Sequence, residues 1–477
     1  MSDAALNLNN EFNKLLDGIG IDPRALNGKV TFLGQDPILP TVAHAGAISA
    51  LTRALPAYLS ALIWQKKTGR GQDITVDLRK TLFDMSPFFP GSLGVEMNGR
   101  KVESDPLTQN ISMTMYKTKD SRWFLPTAIY PKAIEKLTKL LGCSFDHDSV
   151  QAAISKWNAD DLQAAFDKLD LPGTIVKTQE EYDNDPQTPY IKRAPLVKIT
   201  KIADGNPVPL PNFDRPLAGI KAMGLTHVLA GPTVLRTLAE QGADCFNLWG
   251  KESTEEELTY YLANAGVRSG FTDLKNDVDR KKTFNLLKEA DVFVENVHGK
   301  LLKELAITPE DLVKNSSRGI VNVSIRCYGH DGPKADLPGF DMHAVSNSGY
   351  CYVEGTAEEP KLPYTEVFND FTAGFLAAAG AQAALLRRAT EGGSYKVEVS
   401  LSRCTEYYNS LGFFDKDYVN KMVNSDAQHT LGIPDPLILQ TPLGMYKRLK
   451  AEINLSETQP YWSETALIPR GSSRFTL

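Results

Sequence analysis

Asp291-Val292-Phe293-Val294-Glu295 and Gly319-Ile320-Val321-Asn322-Val323-Ser324-Ile325 read as buried strands, and a helical stretch at 309–314 lies between them. Length and β-branched content favour strand over helix for such short apolar runs. Working back toward the N-terminus, the same alternation continues. Gly219-Ile220-Lys221-Ala222-Met223 reads as a strand and Thr233 to Gln241 as a helix. Cys245 to Trp249 is again strand-like, and a helix follows at 278–289. Strands alternating with helices form βαβ units, so this region is expected to be α/β, with a parallel sheet covered by helices on both faces.

Around this unit the chain changes character. Pro209 to Pro216 is a Pro-rich connector. Before it, residues 86–205 carry Pro/Gly turns, short strands such as Trp123-Phe124-Leu125, and amphipathic helices near 131–142 and 159–168. This is expected to be a smaller α+β domain. Residues 1–85 include an Ala/Leu-rich helix from Ala43 to Gln65 and the alternating strand Asp73-Ile74-Thr75-Val76-Asp77-Leu78. The expected division is 1–85, 86–205, 206–410, and a wrapping tail at 411–477.

Composition narrows the function classes. The 477 residues are 42% apolar and 23% charged, with a net charge of −6. An acidic chain lacks the basic face that nucleic acid or an anionic membrane requires. No apolar run was expected to reach the roughly 20 residues that span a bilayer. The polar, acidic start Met1-Ser2-Asp3 does not read as a secretory signal. Cys143, Cys245, Cys327, Cys351 and Cys404 are few, odd in number and widely spaced, as in a cytoplasmic protein with reduced thiols. The scattered histidines show no metal spacing, so no metal is expected. GxGxxG, GxxxxGK[ST] and GxSxG do not occur at the strand ends, which leaves NAD, P-loop and elbow-serine chemistry without support.

One carboxylate stands out. Asp370 lies in Val367-Phe368-Asn369-Asp370-Phe371-Thr372-Ala373-Gly374, where a polar loop meets a small-residue helix. Such an Asp serves either as a helix N-cap or as a group presented to a ligand in the loop. An internal repeat bears on the choice. Thr68 to Leu78 aligns with Glu391 to Leu401, a spacing of 323 (401 − 78), and the same spacing carries Asp370 onto Ala47. The first copy keeps the fold signals without the carboxylate; Ser49 is a candidate cap there. Elsewhere, Thr226 to Pro232 forms a turn into a helix, where free N–H groups hold anions. Arg326 follows the strand ending at Ile325, at the carboxyl end where ligands of open α/β sheets bind. His343 reads as a packed helix residue or a catalyst.

From about Arg215 to Leu401 the chain resembles the class III CoA-transferase family (the CaiB/BaiF type, which includes formyl-CoA transferase and α-methylacyl-CoA racemase). The resemblance is carried, in order, by Pro216 to Ile220, Ala230-Gly231-Pro232, Leu238 to Asp244, Asp273-Leu274-Lys275, Ala290 to Asn296, Gly329-His330-Asp331-Gly332-Pro333, Gly339-Phe340-Asp341 and the Asn369-Asp370 loop. Residues 86–205 resemble the family's small domain. The order of parts is that of a permuted or duplicated chain, with the active loop kept only in the second copy.

The resemblance implies a Rossmann-like large domain and a transferase that exchanges CoA between an acyl-CoA and a carboxylic acid. Asp370 would carry an aspartyl-CoA thioester. His227, Val228, Ala230, Gly231, Arg326 and Arg268 would bind the coenzyme A part of the substrate, with no tightly bound cofactor. An interlocked homodimer is implied as well. The sequence departs from the family pattern at 247–252 and 264–269, and Phe340 replaces the His of the racemase branch. An acyl-CoA racemase, lyase or dehydratase, or a non-catalytic relative, are the alternatives.

Overall fold

The computed structural model describes residues 6–86, 88–251, 253–462 and 466–477. Its largest sheet has seven strands. Taken along the chain, Lys221–Leu225, Asp244–Gly250, Val267–Thr272, Val292–Glu295, Val321–Arg326 and Ser394–Ser400 are parallel and lie in the spatial order third, second, first, fourth, fifth, sixth. Lys198–Ala203 adds an antiparallel edge strand beside the sixth. This is the doubly wound Rossmann arrangement, and the order reverses between the first and fourth strands. Every residue of Val292–Glu295 is buried, as are all but the last of Val321–Arg326, because helices cover both faces.

Two long helices cross in the core, Ala45–Thr68 and Asn369–Glu391. Gln382 Nε2 donates to Ser60 Oγ across their contact at 2.7 Å. Their small residues serve close packing. A Cβ on Gly374 would lie 2.6 Å from Thr233 Cβ and 2.9 Å from Ala230 O, so the helix Ala230–Ala239 crosses against bare backbone. Ala45–Thr68 corrects one expectation. Its most apolar 18-residue window has mean hydropathy 1.3, enough by length and composition to span a bilayer, yet that window lies entirely inside the protein.

The repeat is structural. Val30–Leu33 runs parallel to Ile74–Asp77, and Ile453–Leu455 pairs antiparallel on its other side. Val321–Arg326, Ser394–Ser400 and Lys198–Ala203 form the same trio. Both long helices end on a glycine at positive φ, Gly69 (75°) and Gly392 (65°), where a side chain would be strained. Asp77 and Ser400 each cap the helix that follows, Leu78–Met85 and Leu401–Ser410. The first copy's sheet has three strands and stops at Val30–Leu33, whereas the second continues into the Rossmann half.

Residues 106–175 hold a separate core. Tyr116–Lys117, Trp123–Pro126 and Gly173–Ile175 form an antiparallel sheet. Helices Pro131–Leu141, His147–Ile154 and Ala159–Lys168 pack Leu137, Val150, Ile154, Leu162 and Phe166 onto Tyr116 and Phe124. The tail is woven in: Pro436–Thr441 and Gly444–Leu449 join Glu96–Met97 and Arg100–Lys101 in a four-stranded sheet.

Candidate functional site

Asp370 occupies the first turn of Asn369–Glu391 and is 7% exposed. It does not cap the helix. The cap is Asp341, whose Oδ2 accepts the Phe368 and Asp370 N–H groups at 3.0 and 2.8 Å. Asp341 Oδ1 accepts the Asn369 amide at 3.3 Å. The first copy repeats the device. Asp36 Oδ1 accepts Gly46 N–H at 3.0 Å and Asp36 Oδ2 accepts Ala47 N–H at 2.7 Å. Ser49, the candidate cap read from sequence, instead donates to Thr81 O at 2.5 Å. In both copies a remote aspartate therefore satisfies the helix N-terminus, so the helix has no need of a carboxylate at position 370. Among the described residues no hydrogen bond is made by the Asp370 carboxylate.

Its surroundings make ionisation costly. Burial raises Asp370 well above the ordinary carboxylate range, and the Asp341 charge raises it further. Asp341 is itself raised by burial, against the lowering effect of its N–H donors. Asp36, which accepts two helix N–H groups and faces alanine where Asp341 faces Asp370, is raised by burial to about 6. The turn carrying Asp370 is braced from Leu401–Ser410: Thr405 Oγ1 donates to Asn369 Oδ1 at 3.1 Å, and the Tyr408 hydroxyl meets Thr372 Oγ1. Buried Cys327 is close enough for its thiol to be raised by the Asp370 and Asp341 charges, after burial.

The loop after the first strand lies beside this turn. Leu229, Val367 and Phe371 share one apolar cluster. Asn247 Oδ1 accepts from Thr226 N and Oγ1, and Asn296 bonds both the N–H and C=O of His227 at 3.1 and 2.9 Å. The loop is thus clamped from the second and fourth strands, across the point where strand order reverses. Val228 is held at φ 59°, a costly conformation for a β-branched residue. Its N–H donates to Glu255 Oε2 at 2.8 Å. Glu255 Oε1 takes Thr259 Oγ1 at 3.0 Å, and burial raises this carboxyl. The anion held by the loop in this structure is the protein's own Glu255. A Cβ on Gly231 would meet Thr226 Cβ at 2.7 Å and Asn296 Cγ at 2.9 Å, so that glycine seals the loop against its clamps. Burial lowers the His227 imidazole to about 4, so it is neutral.

The two arginines are engaged elsewhere. Arg326, at the carboxyl end of its strand, pairs with Glu295 through both guanidinium nitrogens at 2.7 and 3.1 Å. Arg268 is at the amino end of Val267–Thr272, away from the carboxyl-end crevice. It forks onto Asp244 at 2.7 and 2.8 Å and bonds Thr476. The resemblance implies that Arg268 binds the coenzyme A part of the substrate; in this structure its guanidinium is held in that ion pair. His343 is fully buried, its Nδ1 accepts the Phe340 N–H at 2.8 Å, and burial lowers it to about 3, so it has no proton to give from that nitrogen.

Asp341, Glu255, Asn247 and Asn296 escaped sequence reading. Asp341 and Asn296 left a signal, as the ends of the Gly339-Phe340-Asp341 and Ala290 to Asn296 motifs.

The sequence profile of CoA-transferase family III matches residues 24–213 and 217–447. The acetyl-coenzyme A transferase nodX of Hypoxylon pulicicidum is 28% identical over 423 residues, 78% of this chain and 70% of its own length. The cinnamoyl-CoA:phenyllactate CoA-transferase of Clostridium sporogenes is 31% identical over 209 residues, 40% of this chain and 50% of its own. A CAIB/BAIF family protein from Brucella suis aligns in structure with a TM-score of 0.37 at 24% identity, covering 49% of this chain and 65% of that one. With the profile spanning most of its length, the chain belongs to CoA-transferase family III.

Proposed function

We propose that the protein is a CoA-transferase that moves CoA from an acyl-CoA to a carboxylic acid through a thioester on Asp370. The observation that carries this reading is the Asp370 carboxylate: buried, free of hydrogen bonds among the described residues, and relieved of capping duty in a chain whose first copy has alanine there. An Asp370 oxygen attacks the thioester carbonyl, the C–S bond breaks, and a mixed anhydride and CoA thiolate form. The thiolate attacks the Asp370 carbonyl and expels the first acid, leaving aspartyl-CoA. The incoming carboxylate attacks that thioester, thiolate leaves, and its attack on the new anhydride's acyl carbon yields the new acyl-CoA and restores Asp370. A carboxylate without hydrogen bonds is a better nucleophile than a solvated one, and covalent catalysis divides the exchange into easier steps. The dry site raises the cost of the free anion, which favours its acylated, neutral state.

Trapping tests this. With an acyl-CoA and hydroxylamine, mass spectrometry is expected to find the hydroxamate at Asp370 in the wild type and none in Asp370→Asn. Full exchange activity in Asp370→Ala would overturn the proposal.

A non-catalytic relative is the second reading. Glu255 on the Val228 N–H and the ion-paired Arg326 favour it, since both are groups that would otherwise be free for a CoA ester. Absence of any heat on titration with CoA esters would select it. A two-base racemase has less support, because His343 already accepts a backbone N–H. Homodimer formation and a cytoplasmic location belong to the same proposal; light scattering of the purified protein tests the first.

A further inference from the structure

The 323-residue repeat exposes a second site. At one end of the crossed helices, Arg53 pairs with Asp84 (3.1 Å) and Glu240 (2.6 Å) in a buried ion cluster. Glu240 comes from the Rossmann half. The residues 323 positions after Arg53 and Asp84 are Leu376 and Tyr407. On their side lie the helix Leu8–Gly18 and the segment leading into Lys198–Ala203. With the charged filling gone, a cavity of about 430 Å³ remains.

Its walls are apolar, from Leu15, Leu55, Leu196, Leu376 and Leu411. Its polar groups are unevenly satisfied. The Tyr407 hydroxyl, on a residue 9% exposed, has no hydrogen-bond partner among the described residues. Arg403 donates Nε to Ala194 O at 2.7 Å, and its two terminal nitrogens make no hydrogen bond among the described residues. Glu11 also lines the cavity, but Lys14 neutralises it at 2.6 Å. A guanidinium fork matches a carboxylate, a buried phenol calls for an acceptor, and an apolar wall suits a hydrocarbon chain.

We propose that this cavity binds a short aliphatic carboxylic acid, its carboxylate on Arg403 and Tyr407 and its chain against the leucines. The site is separate from Asp370 and does not depend on the transferase reading.

Calorimetry with sodium hexanoate on the full chain tests it. Saturable binding by the wild type is expected, at least about tenfold weaker for Arg403→Gln, the loss expected for a charge-assisted pair. Tyr407→Phe keeps the ring and is expected to weaken binding several-fold. Gly18 lines the cavity and a Cβ there meets nothing within 4 Å, so Gly18→Leu is expected to crowd the site and weaken binding with the near-UV spectrum unchanged. Asp370→Asn is expected to bind as the wild type does, and hexanol at least about tenfold more weakly. No saturable binding by the wild type overturns the proposal. So do unchanged binding by Gly18→Leu and Arg403→Gln, equal binding of hexanol, or loss of binding in Asp370→Asn.

Discussion

Replacing Asp341 separates its two effects on Asp370. Its carboxylate is 0% exposed and accepts two backbone N–H groups at 3.0 and 2.8 Å. Asp341→Ala leaves both donors buried and unpaired, at about 1–3 kcal/mol each, or roughly 2–6 kcal/mol in all. Asp36→Ala removes the same two bonds from the first helix and should cost a similar amount. The amide variants are more telling. In Asp341→Asn one oxygen still accepts both N–H groups, while the new NH2 replaces the oxygen that accepts the Asn369 amide, so the expected loss is about 1–3 kcal/mol. The negative charge that raises Asp370 is gone, however. The acid limb of kcat/KM is therefore expected to move down by about one pH unit or more. In Asp36→Asn the two N–H groups bond different oxygens, so only one keeps an acceptor; about 1–3 kcal/mol is expected to be lost, with an unmoved profile. Urea unfolding and pH–rate profiles of the four variants measure both effects. An Asp341→Asn profile that matches the wild type, or one that moves equally in Asp36→Asn, would refute the coupling of Asp341 to Asp370.

Further outcomes follow from the same geometry. The folded protein keeps a proton on Asp370 that the unfolded chain releases near pH 4, so the native state binds more protons and loses stability as pH rises through that window. Asp370→Asn is thus expected to gain on the wild type by up to about 1.4 kcal/mol per pH unit above pH 4, read by denaturant titration at several pH values. Glu255→Gln removes the charge at the Val228 N–H and is expected to tighten CoA-ester binding roughly tenfold by calorimetry; weaker binding would show that Glu255 supports the site. Arg326→Ala strands Glu295, which is 1% exposed, and is expected to cost about 3–5 kcal/mol. Arg268→Ala breaks a half-exposed pair and is expected to cost at most about 1 kcal/mol without changing CoA-ester affinity.

Much of the large domain was legible because its strands are apolar on both faces and its turns are short. Val292–Glu295 and Val321–Arg326 announce themselves by composition, and the repeat fixed the counterpart of Asp370. What no periodicity encodes is pairing over distance. Asp341 reaches Asp370 across 29 residues, Glu295 reaches Arg326 across 31, and Glu255 reaches Val228 across 27. Each tie turns an apparently free group into a committed one. Lys198–Ala203 shows the same limit: its strand character is local, while its place on the edge of the large sheet is set by Ser394–Ser400. Ala45–Thr68 was under-read because Thr52, Arg53 and Ser60 interrupt its apolar run, yet all three are buried with partners of their own.

The two strand trios differ in when they can form. In the second, Lys198–Ala203 leaves the ribosome before Ser394–Ser400 and waits for it. In the first, Ile74–Asp77 must wait for Ile453–Leu455, 379 residues later (453 − 74). At about 5–20 residues per second that delay is roughly 20 to 80 s. Through it, Ile74 and Val76 have a bonding edge with no occupant. The N-terminal copy, although made first, is the one finished last, and its exposure to mispairing or chaperone capture is set by the length of everything between.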